Sequence, residues 1–154
     1  MLKRRDFVLM LWAALVGGGV VTMAQSAKTK DPAMHSAAIE WSSIDPKPSA
    51  TGSSRKFFEG PSPTLALLEC HASTLNPGAQ NHEILKRTHD EVIIVKEGTL
   101  EVYVGDKWVK LGPGSVIFNA ANADQAMRNP GPTPATYHVV TFQPAQLPDA
   151  RPAN

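Results

Sequence analysis

The feature that most constrains this chain is a train of short apolar runs between Thr64 and Phe142, each closed by a turn signal. Thr64 to Thr74 stops at Asn76-Pro77-Gly78, and Val92-Ile93-Ile94-Val95 stops at Lys96-Glu97-Gly98. Thr99 to Val104 and Lys107 to Leu111 alternate about Gly105-Asp106, a pair suited to a two-residue hairpin turn. Gly112-Pro113-Gly114 leads into Ser115 to Asn119, and Pro130-Gly131-Pro132 precedes the run Ala135 to Phe142. The runs have strand length, and no amphipathic helix or internal repeat interrupts them. Short strands at regular intervals with Gly/Pro turns predict one all-β domain, a sandwich or barrel, over residues 64–143.

The flanks read differently. Residues 25–63 have no sustained periodicity and are rich in Pro and Ser, which predicts an N-terminal arm with Trp41, Phe57 and Phe58 as apolar anchors. Residues 144–154 read as a flexible tail. The chain opens Lys3-Arg4-Arg5-Asp6-Phe7-Val8-Leu9, continues apolar to Val21 and reaches Thr22-Met23-Ala24. A basic start, an apolar stretch and small residues before a cut are the parts of an export signal over 1–24. The paired arginines followed by Phe and an aliphatic residue resemble a twin-arginine signal, and imply a periplasmic or secreted protein. The alternative is an uncleaved anchor, the one case in which a membrane is a partner, because Phe7 to Ala24 is near the minimum bilayer span. Gly17-Gly18-Gly19 weakens such a helix.

Charge excludes one class of partner. Fifteen basic residues against fourteen acidic ones leave no basic stripe for nucleic acid, and three of the fifteen stand at the extreme N-terminus. Without residues 1–24 the balance is twelve to thirteen, a net charge of −1. The single cysteine, Cys70, excludes a disulfide-stapled fold and sits in an apolar run where packing is its expected role.

Several residues stand at telling spacings: Pro77-Gly78, Glu91 and Gly98, then Gly114 and Asn129. With Leu75-Asn76-Pro77-Gly78, Val95-Lys96-Glu97-Gly98 and Leu111-Gly112-Pro113-Gly114-Ser115-Val116, they resemble the two motifs of small single-domain bacterial cupins. The first of those motifs carries a Gly, two His one residue apart, a Glu and a second Gly; the second runs Gly, Pro, Gly, His, Asn. The resemblance covers about residues 64–143 and implies a jelly-roll cupin β-barrel. It also implies self-association, as a homodimer, through an outer strand or the arm. Counted from Glu91, the two first-motif histidines fall on Leu85 and Arg87; counted from Gly114, the second-motif histidine falls on Gln125. Ala120 and Asn122 take the Pro and Gly places, and Asn tolerates the left-handed backbone a Gly place often needs. Leu cannot ligate, Arg stays protonated and Gln is a weak neutral ligand, so of four expected ligands only Glu91 remains. No cofactor is therefore expected. A rebuilt site for divalent iron, manganese, nickel or zinc would rest on His82, His89 and Glu91.

Residues 85, 87, 89 and 91 share parity, so an extended chain points them one way. Arg87 then supplies the positive charge a metal would have brought, and Glu91 receives it. Two readings stay open. One is a binding module whose metal-free pocket is lined by Leu85, Arg87, Glu91 and Gln125 and suits a small carboxylate or hydroxylated ligand. The other is an enzyme, either a metal-dependent oxygenase or isomerase with rebuilt ligands or a metal-free sugar isomerase using His89 and Glu91 as an acid/base pair. Asn119, Asn122 and Asp124 read as polar groups on the loop before Gln125. His71 shares parity with Glu69, which suggests a polar outer face. His138 reads as structural, and His35 as solvated.

Overall fold

The computed structural model describes residues 33–145; the export signal read over 1–24, the first residues of the arm and the tail from 146 onward lie outside the described residues. Ten strands follow in chain order: β1 Lys47–Ser49, β2 Gly52–Gly60, β3 Leu65–Leu75, β4 Leu85–Lys86 and β5 Asp90–Glu97. Then come β6 Leu100–Val104, β7 Lys107–Leu111, β8 Val116–Asn119, β9 Asp124–Arg128 and β10 Ala135–Pro144. They form a six-stranded sheet, β1-β2-β3-β10-β5-β8, and a four-stranded sheet, β4-β9-β6-β7. Every pairing is antiparallel, giving a single-domain jelly-roll barrel. No described helix is long and apolar enough to cross a membrane.

Alternation along the strands fills the interior. On β5, Ile93 and Val95 turn inward and are buried, while Ile94 and Lys96 are exposed. They meet Leu100, Val102, Ile117, Met127, Ala135 and Val139 in one core. Fully burying a side chain of this size stabilises by about 1.5–3 kcal/mol. The hairpin between β6 and β7 turns on Gly105 and Asp106 with φ of 56° and 62°, the left-handed pair that a primed two-residue turn requires. Gly98, at φ 77°, closes β5 against the start of β10; a Cβ there would lie 2.7 Å from the Ala135 Cα and the Pro134 carbonyl oxygen. Asn129 stitches the loops at this end. Its buried amide donates to the carbonyls of Leu75 at 3.0 Å and Thr133 at 2.8 Å.

Two expectations need correction. Within the segment read as an arm over 25–63, β1 and β2 extend the sheet past residue 64, with β2 paired to β3 from Gly52↔Leu75 to Gly60↔Leu68. A register shift between Lys56 and Phe58 breaks the period-two pattern, which hides this strand from periodicity. Trp41 does act as an anchor. Its ring lies 6.0 Å from Phe57 and 5.7 Å from His138, with Arg55 and Lys96 over it. Secondly, the loop read before Gln125 is only a tight turn: Asn119 ends β8, Asp124 begins β9, and Asn122 takes φ 64° between them.

Candidate functional site

Cross-strand register builds a polar row across the six-stranded sheet. Glu59 pairs with Glu69, Glu69 with Thr141, Thr141 with Glu91, and Glu91 with Asn119. Directly opposed residues share a face, so these side chains point together, and Glu69, Thr141, Glu91 and Asn119 are all buried. One register step deeper the row reads His71, Val139, Ile93, Ile117; the next reads Ser73, Tyr137, Val95. The barrel therefore changes from apolar to polar within a few residues of each strand.

A buried carboxylate needs a partner, and both have one. His71 Nδ1 lies 2.8 Å and 3.0 Å from the two oxygens of Glu69. Glu91 Oε1 is met by His89 Nε2 at 3.2 Å and, less closely, by Arg87 Nε at 3.6 Å. The Asn119 amide donates to the Gln125 side-chain carbonyl. Two adjoining cavities of about 180 and 220 Å³ open onto these groups and share His71, Arg87 and Glu91 as walls. Ser73, Asn81, His82 and Tyr137 line the first; Lys56, Glu69, His89 and Thr141 line the second. Burial pushes the Tyr137 phenol up to about 12, against hydrogen bonds from Ser73 and Asn81, so it stays protonated.

The expected site residues separate into two groups. Arg87, His89 and Glu91 converge on the cleft. Leu85 does not line it, because β4 ends at Lys86 and the chain crosses between sheets before β5 begins at Asp90. That crossing breaks the extended run the parity argument assumed. Gln125 pairs with Leu85 across β9 and β4; it is buried and held by Asn119 rather than lining the cleft. His82 reaches the cleft wall, but its Nδ1 bonds the Glu83 carbonyl at 2.7 Å. Among the described residues no three His, Cys, Asp or Glu side chains are grouped to hold a metal ion, so His82, His89 and Glu91 are not brought together as ligands. The donor set does not fit the metal that the resemblance implies.

Sequence reasoning missed Glu69, His71 and Tyr137. Their shared parity with the core residue Leu75 was the available signal for Glu69 and His71, which face the cleft rather than the outside. His138 stands on the opposite face, stacked on Phe57 at 5.8 Å. Burial chiefly, then the Lys96 and His71 charges, lowers its tendency to protonate. Burial also pushes the Cys70 thiol up.

Residues 72–141 match the Cupin_2 family model, described as a cupin domain, and the chain thus carries a small domain of the cupin superfamily. Solved structures with the same fold include KdgF from Halomonas sp., at TM-score 0.60 and 14% identity over 73% of this chain and 96% of that one. A sugar phosphate isomerase of the cupin superfamily from Silicibacter pomeroyi gives TM-score 0.57 and 19% identity over 70% and 76%. The polyketide cyclase RemF from Streptomyces resistomycificus gives 0.56 and 12% over 75% and 89%. At such identities the likeness is one of fold. A search of curated proteins returns no match.

Proposed function

We propose that this exported cupin domain binds a small hydroxylated carboxylate in a metal-free cleft, with Arg87 as the anchoring cation. The observation that carries this reading is the state of Arg87. Its side chain is 38% exposed and lines both cavities, and its contact with Glu91, from Nε at 3.6 Å, is longer than a hydrogen bond, so the guanidinium has donors to offer a ligand carboxylate. Lys56, the other cation on the cleft wall, is already paired with Glu59. Deeper in, the neutral side chains of Ser73, Asn81 and Tyr137 suit hydroxyl groups. Export rests on Arg4-Arg5 and the apolar run after them, and no transition metal is needed at this donor set.

Calorimetric titration with D-gluconate, on protein whose metal content is measured alongside, tests the reading. Gluconate is expected to bind without stoichiometric metal, and Arg87→Met is expected to weaken it about ten- to a hundredfold. Gluconate affinity unchanged by Arg87→Met would overturn the anchoring role. One tightly held iron, manganese, nickel or zinc per chain would favour the metalloenzyme reading.

A further inference from the structure

The cleft holds more acid–base equipment than binding requires. Glu69 and Glu91 both flank Thr141, one on each neighbouring strand, so their backbones stand two strand spacings apart, roughly 10 Å. The strands β3 and β5 run the same way, each antiparallel to β10 between them. His71 therefore lies deeper than this row, level with Ile93, whereas His89 lies just before β5, on the rim side. Each carboxylate grips one imidazole nitrogen: Nδ1 of His71 and Nε2 of His89. That orientation leaves His71 Nε2 and His89 Nδ1 as the ring nitrogens not engaged by a carboxylate, and both rings line the 220 Å³ cavity.

We propose that the Glu69–His71 and Glu91–His89 pairs act together as base and acid on a small 2-oxo acid, exchanging the hydrogen on the carbon beside its carbonyl. This rests on the reading of the cleft as the ligand site. The ligand carboxylate sits on Arg87, which places its C2 carbonyl and C3 between the two imidazoles. His71 Nε2 takes the C3 proton; the C–H electron pair becomes the C2=C3 bond of an enol. The carbonyl oxygen takes a proton from His89 Nδ1–H. Reversal returns a proton to C3, so atoms and electrons balance with no cofactor. Glu69 and Glu91 are positioning residues that fix each ring's orientation and tautomer. The Tyr137 phenol, one step deeper beside Ser73, remains a hydrogen-bond donor throughout.

The test follows the C3 hydrogens of 2-oxobutyrate in D2O by proton NMR, with binding of the same acid measured by calorimetry. Wild-type protein is expected to accelerate exchange over buffer, and His71→Gln to slow it about a hundredfold or more while still binding the acid. Glu69→Gln is expected to slow exchange less, with binding intact. Binding without exchange above buffer, or exchange indifferent to His71→Gln, overturns this proposal and leaves the binding reading standing. No binding of 2-oxobutyrate by the folded wild-type protein also overturns this proposal, while the binding reading stands or falls on its own gluconate titration.

Discussion

The same strands build two unlike ends of one barrel. Along β5 the inward residues run Glu91, Ile93, Val95; along β10 they run Thr141, Val139, Tyr137, Ala135; along β3 they run Glu69, His71, Ser73, Leu75. At one end the side chains interdigitate and exclude water. At the other, buried acids each hold an imidazole beside an open cleft. The difference teaches where stability and chemistry are kept apart. Strand pairing anchored in the apolar end fixes the backbone of the polar end, so the polar end is free to carry groups that contribute little to folding.

The strongest way to break that comparison is to truncate each end in turn. Ile93→Ala, at a fully buried position, is expected to cost about 2–5 kcal/mol in urea denaturation with an unchanged slope. Arg87→Met is expected to cost no more than about 1 kcal/mol, because the side chain is 38% exposed. Equal costs would erase the distinction between the two ends.

Tyr137 lies at the boundary and gives a pH signature. Its phenol is held near 12 in the fold against about 10 unfolded, so the unfolded chain loses this proton first as pH rises. Stability from this group is complete below pH 10 and falls between about 10 and 12, by up to about 3 kcal/mol. Tyr137→Phe is expected to remove that fall. A wild-type stability unchanged across the window would mean the phenol is open to water.

The smallest effect concerns the ion pair at the rim. A double-mutant cycle with Arg87→Met and Glu91→Gln is expected to give a coupling of about 0–1 kcal/mol, since one contact at 3.6 Å to a partly exposed guanidinium is screened. A coupling of about 3–5 kcal/mol would mean that the pair is shut away from solvent.

Most strands from 64 to 142 were legible because they ended in residues that turns favour, such as Gly105-Asp106 or Gly98. β2 was not, since the shift at Phe57 scrambles its alternation. β9 was not, because a five-residue segment beginning Asp124-Gln125 looks like loop until β4 and β6 close on either side. At the site, motif counting reached Arg87 and Glu91 but carried Leu85 along with them, blind to the crossing between sheets after Lys86. Glu69 and His71 were misplaced for a more general reason. Parity says that two strand residues share a face, but which face is decided by pairing with Thr141 and Val139, some seventy residues away.

One titration bears most directly on this division of the barrel. Amide NMR shifts would be followed in metal-depleted protein as D-gluconate is added. Shifts are expected at Glu69, His71, Asn81, Arg87, His89 and Glu91, with Leu100 and Val102 in the apolar end unmoved. A third cavity, about 270 Å³, is lined by residues 34–37 together with Phe58 and Leu68. Shifts centred there, or none until a divalent metal is restored, would contradict a metal-free ligand site at the polar end.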